Sequence, residues 1–363
     1  MENGNNNKKN ESNNNHIKTI DKLNENKSLS HEEWVNLISE FTDEDRKYAE
    51  MLADTITKEH FGDKIYFRGI IEFSNICKND CYYCGIRCSN KNVERYRLTE
   101  EDIMFCCKEG YRLGYRTFVL QSGEDAYWSG ERLISLIRKI RGNYPDCAIT
   151  LSIGECGRKE YEAMFEAGAN RYLLRHETAD FGHYAKLHPK DMKLENRLRC
   201  LKDLQEIGFQ TGCGMMVGTP FQTPESLALD MELMCEIKPA MAGIGPFIPH
   251  KDTPFREYPT GSQELSLFLL SLTRIMLPDV LLPSTTALGT AARDGRVRGI
   301  LAGCNVVMPN LSPQNVRKNY MLYDHKSGIE LSAEQSLQIL RKQMDDIGRT
   351  VVTGRGDHKD YVK

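Results

Sequence analysis

Residues 65–84 read IYFRGIIEFSNICKNDCYYC. The first part, Ile65 to Phe73, is rich in β-branched and aromatic residues and has the length of a strand. Cys77, Cys81 and Cys84 then follow within eight residues, so one short loop leaving this strand can wrap a compact inorganic core. Working outward, the same kind of run recurs at Thr117 to Gln121, Ala148 to Ile153, Tyr172 to Arg175, Gln210 to Val217, Ala242 to Phe247, Leu282 to Thr286 and Asn305 to Met308. Helical patterns lie between them: Glu100 to Leu113, Arg132 to Ile140, Arg158 to Ala167, Glu195 to Ile207, Glu225 to Ile237, Gln263 to Ile275 and Ala291 to Leu301. Eight alternating units predict an α/β protein whose parallel strands close into a (β/α)8 TIM-type barrel.

The flanks set the boundaries. Residues 1–29 are dominated by Asn, Lys and Glu, too polar to bury enough surface to offset ordering, and read as a disordered Asn-rich tail. Residues 30–62 carry Trp34, Leu37, Ile38 and Phe41 on one face and read as an N-terminal helical segment. The barrel is expected over 63–323. Residues 324–363 are read as a C-terminal helix, Leu331 to Ile347, followed by a frayed tail from Gly354.

Composition narrows the function. With 48 Lys and Arg against 51 Asp and Glu, the formal charge of −3 offers no field for nucleic acid. The most apolar stretch, Leu265 to Leu277, is interrupted by Ser, Thr and Arg, so no membrane span is expected. Twelve cysteines without a secretory signal predict thiols or metal ligands in a reducing, cytoplasmic setting. Cys106, Cys107, Cys147, Cys156, Cys200, Cys213, Cys235 and Cys304 show no paired spacing and are read as structural.

Polar residues gather at the C-terminal ends of the predicted strands: Asn75, Glu124, Asp125, Glu155, His176, Glu177, Thr285 and Thr286. In a barrel those ends share one mouth, where active sites are built. Three thiolates would leave one iron of a 4Fe-4S cluster open, and an open position separates a reactive metal site from a structural one. A zinc knuckle, or a closed cluster using Cys88 as fourth ligand, are the competing readings; no second Cys or His pair follows at knuckle spacing, and no Pro follows Cys88. Arg171 and Arg175 flank the Tyr-Leu-Leu strand and could present guanidinium forks to an anion, or pair structurally with acids. His176 is a candidate base, although a lone His is more often a satisfied structural donor.

The Cys-x3-Cys-x-aromatic-Cys loop after a first barrel strand resembles the radical S-adenosylmethionine (SAM) superfamily. The stretches 68–77, 120–125, 171–178, 243–250 and 285–290 together resemble the HydE family of FeFe-hydrogenase maturases, across about Ile65 to Tyr323. The resemblance implies one 4Fe-4S cluster on Cys77, Cys81 and Cys84, with SAM held by Gln121, Ser122, Glu177 and Arg197. It implies a substrate cavity formed by Arg171, Arg175, Met241, Thr285, Thr286, Met308 and Tyr320, facing an organometallic substrate, a cysteine-bound iron with carbonyl and cyanide ligands. Companion hydrogenase maturases and a low-potential electron donor such as ferredoxin are the implied partners. Many family members carry a further cysteine trio near the C-terminus for an auxiliary cluster; no cysteine follows Cys304 here, so a single cluster is expected. The alternatives are a mutase or synthase of the methylornithine synthase or biotin synthase type, and a non-catalytic iron-cluster scaffold.

Overall fold

The computed structural model describes residues 3–361, with side chains from residue 15 onward. Three helices lead in: α1 (Asn3–Asn26), α2 (His31–Glu40) and α3 (Asp43–Phe61). Composition predicts disorder over 1–29, and from His16 onward this expectation is corrected. Within α1, Ile20 and Leu23 are fully buried in the main core and His16 bonds Asp45 at 3.0 Å, so a few apolar residues at helical spacing suffice once α3 supplies a surface. Residues 1 and 2 lie outside the described residues. The segment 30–62 is two helices because Ser30 and Thr42 each close a capping box, with Glu33 and Asp45, that starts a new helix.

The strands are β1 (Lys64–Phe67), β2 (Gly69–Ser74), β3 (Thr117–Ser122), β4 (Ala148–Ser152), β5 (Arg171–Leu173), β6 (Gln210–Cys213), β7 (Met216–Val217), β8 (Met241–Ala242), β9 (Gly245–Pro246), β10 (Val306–Val307) and β11 (Thr350–Val352). β2, β3, β4, β5, β6 and β8 pair in that order, all in parallel. Single parallel bridges continue the ring, Met241 to Leu281 and Pro283 to Val306. β10 then pairs with β1, and Ile70 bridges Asn310. The expected barrel is thus closed. The fifth and sixth segments are each split, at Gly214 and Gly243, where the two backbones approach so closely that a Cβ on Gly214 (φ +143°) would lie 2.1 Å from the Gly243 carbonyl oxygen.

Around the ring run α4 (Glu100–Arg112), α5 (Gly130–Asn143), α6 (Arg158–Glu166), α7 (Phe181–Leu187), α8 (Leu194–Ile207), α9 (Pro224–Ile237), α10 (Gln263–Met276), α11 (Thr286–Ala291), α12 (Gly295–Leu301), α13 (Gln314–Arg317) and α14 (Ala333–Asp345). α10 is buried from Ser266 to Met276, because α3 covers the side that the barrel does not. Two expectations change. The seventh segment ends before Thr285, whose hydroxyl caps α11, so Thr286 is helical. The helix expected over Ala291 to Leu301 is broken at residues 292–294 into α11 and α12.

Residues 354–361, expected to fray, are held in place. β11 pairs with β1, and the residues after it cross beneath the N-terminal ends of the strands. Arg171 donates to Arg355 O at 2.7 Å and to Asp357 Oδ1 at 2.8 Å, while Gln210 Nε2 donates to Asp357 Oδ1 at 2.6 Å. The Tyr361 hydroxyl bonds Phe209 O. This segment floors the barrel. Residues 362 and 363 lie outside the described residues.

Candidate functional site

The loop after β2 is held from one hub. Arg95 donates to the carbonyls of Asn75 (2.5 Å), Ile86 (2.8 Å), Arg87 (2.6 Å) and Asn90 (3.1 Å), four points of one loop. Asn75 adds bonds to Glu94 O and Asn319 O, and accepts from Tyr96 N. Below it, Arg97 forks onto Asp125 at 2.7 and 2.9 Å, and Ser74 Oγ donates to the same carboxylate at 2.6 Å. Burial alone would push Asp125 up; Arg97 and Ser74 outweigh it and hold the carboxyl below its ordinary range.

Inside this loop Cys77, Cys81 and Cys84 are partly buried, whereas Cys88 is exposed. Burial pushes all three thiols up, Cys84 to about 12; Cys84 and Cys77 raise Cys81 further, and Cys77 raises Cys84. Three half-buried thiols grouped in one loop are a poor arrangement for free cysteines and a good one for metal-bound thiolates, because a coordinated thiol loses its proton outright. The backbone agrees. Glu124 N donates to Cys77 Sγ at 3.3 Å, and a Cβ on Gly123 would lie 2.7 Å from the Cys77 Cβ and 2.4 Å from Ile76 O. The donor set and the cradle fit an iron-sulfur cluster.

Beside the trio, Arg197 of α8 is buried, with Nε 2.6 Å from Glu155 Oε1 and an amino group 2.5 Å from Arg175 O. Burial works against its charge, yet Tyr184 and Glu155 outweigh this and hold the guanidinium protonated. Arg175 in turn forks onto Glu177, 3.0 Å on each arm. Glu177 adopts φ +68°, a left-handed backbone unusual for a glutamate, fixed by Glu177 N to Gly214 O and Met216 N to Glu177 O. Gln121 and Ser122 end β3, partly exposed at the same mouth. Tyr83, between two of the thiols in sequence, reaches His188 Nε2 at 3.1 Å and lies within electrostatic reach of Cys81, Glu177 and Arg197.

A second group lies between the barrel and α14. Thr286 and Met308 line a cavity together with Glu72, Asn310, Arg296 and Lys326. Lys326 bonds the Glu72 carboxylate and Tyr320 O, and stands 5.0 Å from the Tyr320 ring. Thr285 packs against Gly245, where a Cβ would lie 2.6 Å from its hydroxyl. Met241 is deeper, with Arg68 donating to its Sδ at 2.9 Å.

Arg171 requires a correction. It stands at the first residue of its strand, fully buried on the floor, and its fork is filled by Asp357, Arg355 O and the Thr117 hydroxyl. Structural pairing with an acid is the reading that holds. His176 likewise is a buried structural donor, 3.1 Å from Asp230 and bonded by Gly214 N. Sequence reasoning missed Arg95, Tyr83 and the pair of Glu72 with Lys326. Glu72 had a signal, a carboxylate within an otherwise apolar strand; Lys326 had none.

Comparison with known proteins settles the family. The radical SAM superfamily profile matches residues 71–234. Over 298 residues the chain is 44% identical to the FeFe-hydrogenase maturase subunit HydE of Thermotoga maritima, spanning 82% of this chain and 85% of that protein. The chain belongs to the HydE family. It is therefore a radical SAM enzyme, a class built on a 4Fe-4S cluster and SAM. The family has neighbours: 3-methylornithine synthase of Methanosarcina acetivorans is 27% identical over 84% of this chain and 86% of its own length. The crystal structure of a methylornithine synthase superposes with a TM-score of 0.80 at 25% identity, over 92% of this chain and 97% of that one. No helix among the described residues is long and apolar enough to cross a membrane.

Proposed function

We propose that the protein cleaves SAM reductively and turns the product on a cysteine-bound iron carrying carbonyl and cyanide ligands, a precursor of the diiron unit of the FeFe-hydrogenase H-cluster. The observation that carries this reading is the 44% identity to a HydE over most of both chains. Cys77, Cys81 and Cys84 would hold the single 4Fe-4S cluster, and Gln121, Ser122, Glu177 and Arg197 would hold SAM. When bound, these cofactors supply a 5′-deoxyadenosyl radical.

The chain's own residues bind, orient and exclude water. Arg197, kept charged against burial by Glu155, offers charge-assisted hydrogen bonds to an amino-acid carboxylate. Arg175, forked onto Glu177, is the second guanidinium at this mouth. Thr286 and Met308 line the cavity between the barrel and α14, and Thr285, Tyr320 and Met241 are the remaining residues assigned to the substrate. Lys326 pairs with the buried carboxylate of Glu72 beside that cavity. In many relatives this part of the chain carries an auxiliary cluster; here it carries Lys326 and no cysteine. Companion maturases and a low-potential electron donor complete the proposed setting, with neither nucleic acid nor membrane and a cytoplasmic location.

The extensive likeness to methylornithine synthase favours a second reading, rearrangement of an amino acid. One anaerobic experiment separates them. The protein is reconstituted with iron and sulfide, reduced, and given SAM with either a cysteine-bound dicarbonyl cyanide iron complex or L-lysine. Consumption of the iron complex with deoxyadenosine release is expected, while methylornithine formed from lysine would overturn the assignment. Cys81→Ser should abolish the cluster and Cys88→Ser should spare it; the reverse outcome refutes the ligand set.

A further inference from the structure

The cluster loop does not end at its cysteines. Tyr82, between Cys81 and Cys84, turns outward, and its ring meets Phe255 edge-on at 6.2 Å. Phe255 in turn packs edge-on against Phe221 (6.2 Å) and Tyr258 (5.5 Å). The base of this ledge is a small core of its own, Leu187, Met216, Phe247 and Phe255, separate from the main core. Its rim is open: Phe221 is 48% exposed and Tyr258 is 38% exposed. Phe221 also adopts φ +68°, a left-handed conformation rare for a bulky L residue, fixed by Gln222 through bonds to Gly218 N and Met216 O. An exposed aromatic ring kept on a strained backbone points to use rather than packing.

Charge marks the same face. Lys186 lies 5.5 Å over the Phe221 ring, and Lys190 is exposed two residues before Met192, whose Sδ is 3.8 Å from Cys81 Sγ. From Lys186 to Lys193 three lysines meet a single acid, Asp191, and among the described residues none of the three is ion-paired. In a chain of formal charge −3 this is a local excess, placed where Tyr82 N bonds Leu187 O at 3.0 Å.

We propose that this ledge docks a small acidic iron-sulfur electron carrier, with the Tyr82, Phe221 and Tyr258 rings as apolar anchors and Lys186 and Lys190 as the steering rim. The proposal rests on the radical SAM reading of the cysteine trio. Each SAM cleavage requires one electron: the docked carrier would be oxidised by one, the 4Fe-4S cluster that Cys77, Cys81 and Cys84 would hold would be reduced by one, and SAM would take that electron as its sulfur–carbon bond breaks; Cys81 directly precedes Tyr82. A partly aromatic, cation-rimmed patch suits the small, salt-sensitive interfaces of redox encounters.

The test uses the reconstituted full-length protein and a small acidic ferredoxin. Phe221→Gly deletes the ring and relieves the left-handed backbone, so folding is spared. Lys186→Glu with Lys190→Glu inverts the rim. Binding of oxidised ferredoxin is measured by interferometry at low and high salt, and deoxyadenosine formation is followed with reduced ferredoxin or with dithionite. Each variant should bind ferredoxin about tenfold more weakly, and its ferredoxin-driven rate should fall by a similar factor. The dithionite-driven rate should stay at the wild-type level. Unchanged ferredoxin binding in both variants, or a dithionite-driven rate that falls as far as the ferredoxin-driven one, overturns the proposal. If the wild type cleaves no SAM even with dithionite, the enzymatic reading fails instead, while the binding arm still judges the ledge.

Discussion

Lys326 places its ammonium on the buried carboxylate of Glu72, a residue 254 positions earlier in the chain. Asn310 takes the other carboxylate oxygen at 2.8 Å, so Glu72 is fully engaged inside the barrel. Truncating Lys326 to Ala strands that carboxylate, and breaking a buried pair from one side costs about 3–5 kcal/mol. Urea unfolding should show this loss, and the double variant Glu72→Gln with Lys326→Met should recover most of it. A single-variant loss below about 1 kcal/mol would place the pair among solvated ones rather than buried ones.

The floor carries its own pH dependence. Burial pushes Asp357 up, but Arg171, Gln210 and Arg355 outweigh this, so the folded carboxyl lies below its ordinary value. A depressed carboxyl adds stability that is complete above the unfolded value of about 3.9 and is lost as pH falls through the folded one. Asp357→Asn should therefore be less stable at neutral pH by about 1.5–3 kcal/mol, the scale of a hydrogen bond to a charged group. Its stability should also decline less steeply than that of the wild type below about pH 4. Parallel acid limbs in a pH series of urea melts would exclude Asp357 from the acid transition.

Arg95 ties four carbonyls of the cysteine loop to one guanidinium. Lysine keeps the charge but loses the planar fork. Arg95→Lys should fold with unchanged far-UV dichroism and retain less iron and sulfide after anaerobic reconstitution. Full wild-type iron content would show that the loop is set by its other contacts.

Gly123 tests the cradle from the opposite side. A methyl group there meets Ile76 O at 2.4 Å and the Cys77 Cβ at 2.7 Å, and the first of these is backbone that cannot swing aside. Gly123→Ala should displace Cys77 and lower cluster occupancy. Gly142→Ala, on an open helix surface with nothing within 4 Å of the added carbon, should retain the wild-type iron content. Equal iron in both variants would mean that Cys77 tolerates the shift and the cradle does not position it.

Local patterns determined much of this protein. The period of each strand and helix, and three thiols within one loop, are short-range properties, so the barrel and the cysteine trio were legible from residues alone. The limits are equally physical. The Asn-rich N-terminus has the average composition of a disordered segment, yet Ile20 and Leu23 find a surface provided by later residues. Thr285 and Thr286 look like strand residues until the hydroxyl of the first caps a helix. Arg171 and Arg175 flank one short strand, but they face opposite ends of the barrel, one bound to Asp357 on the floor and the other to Glu177 at the mouth. Only the tertiary structure could assign them, because a strand's periodicity records which residues are buried and not which distant acid arrives to neutralise them.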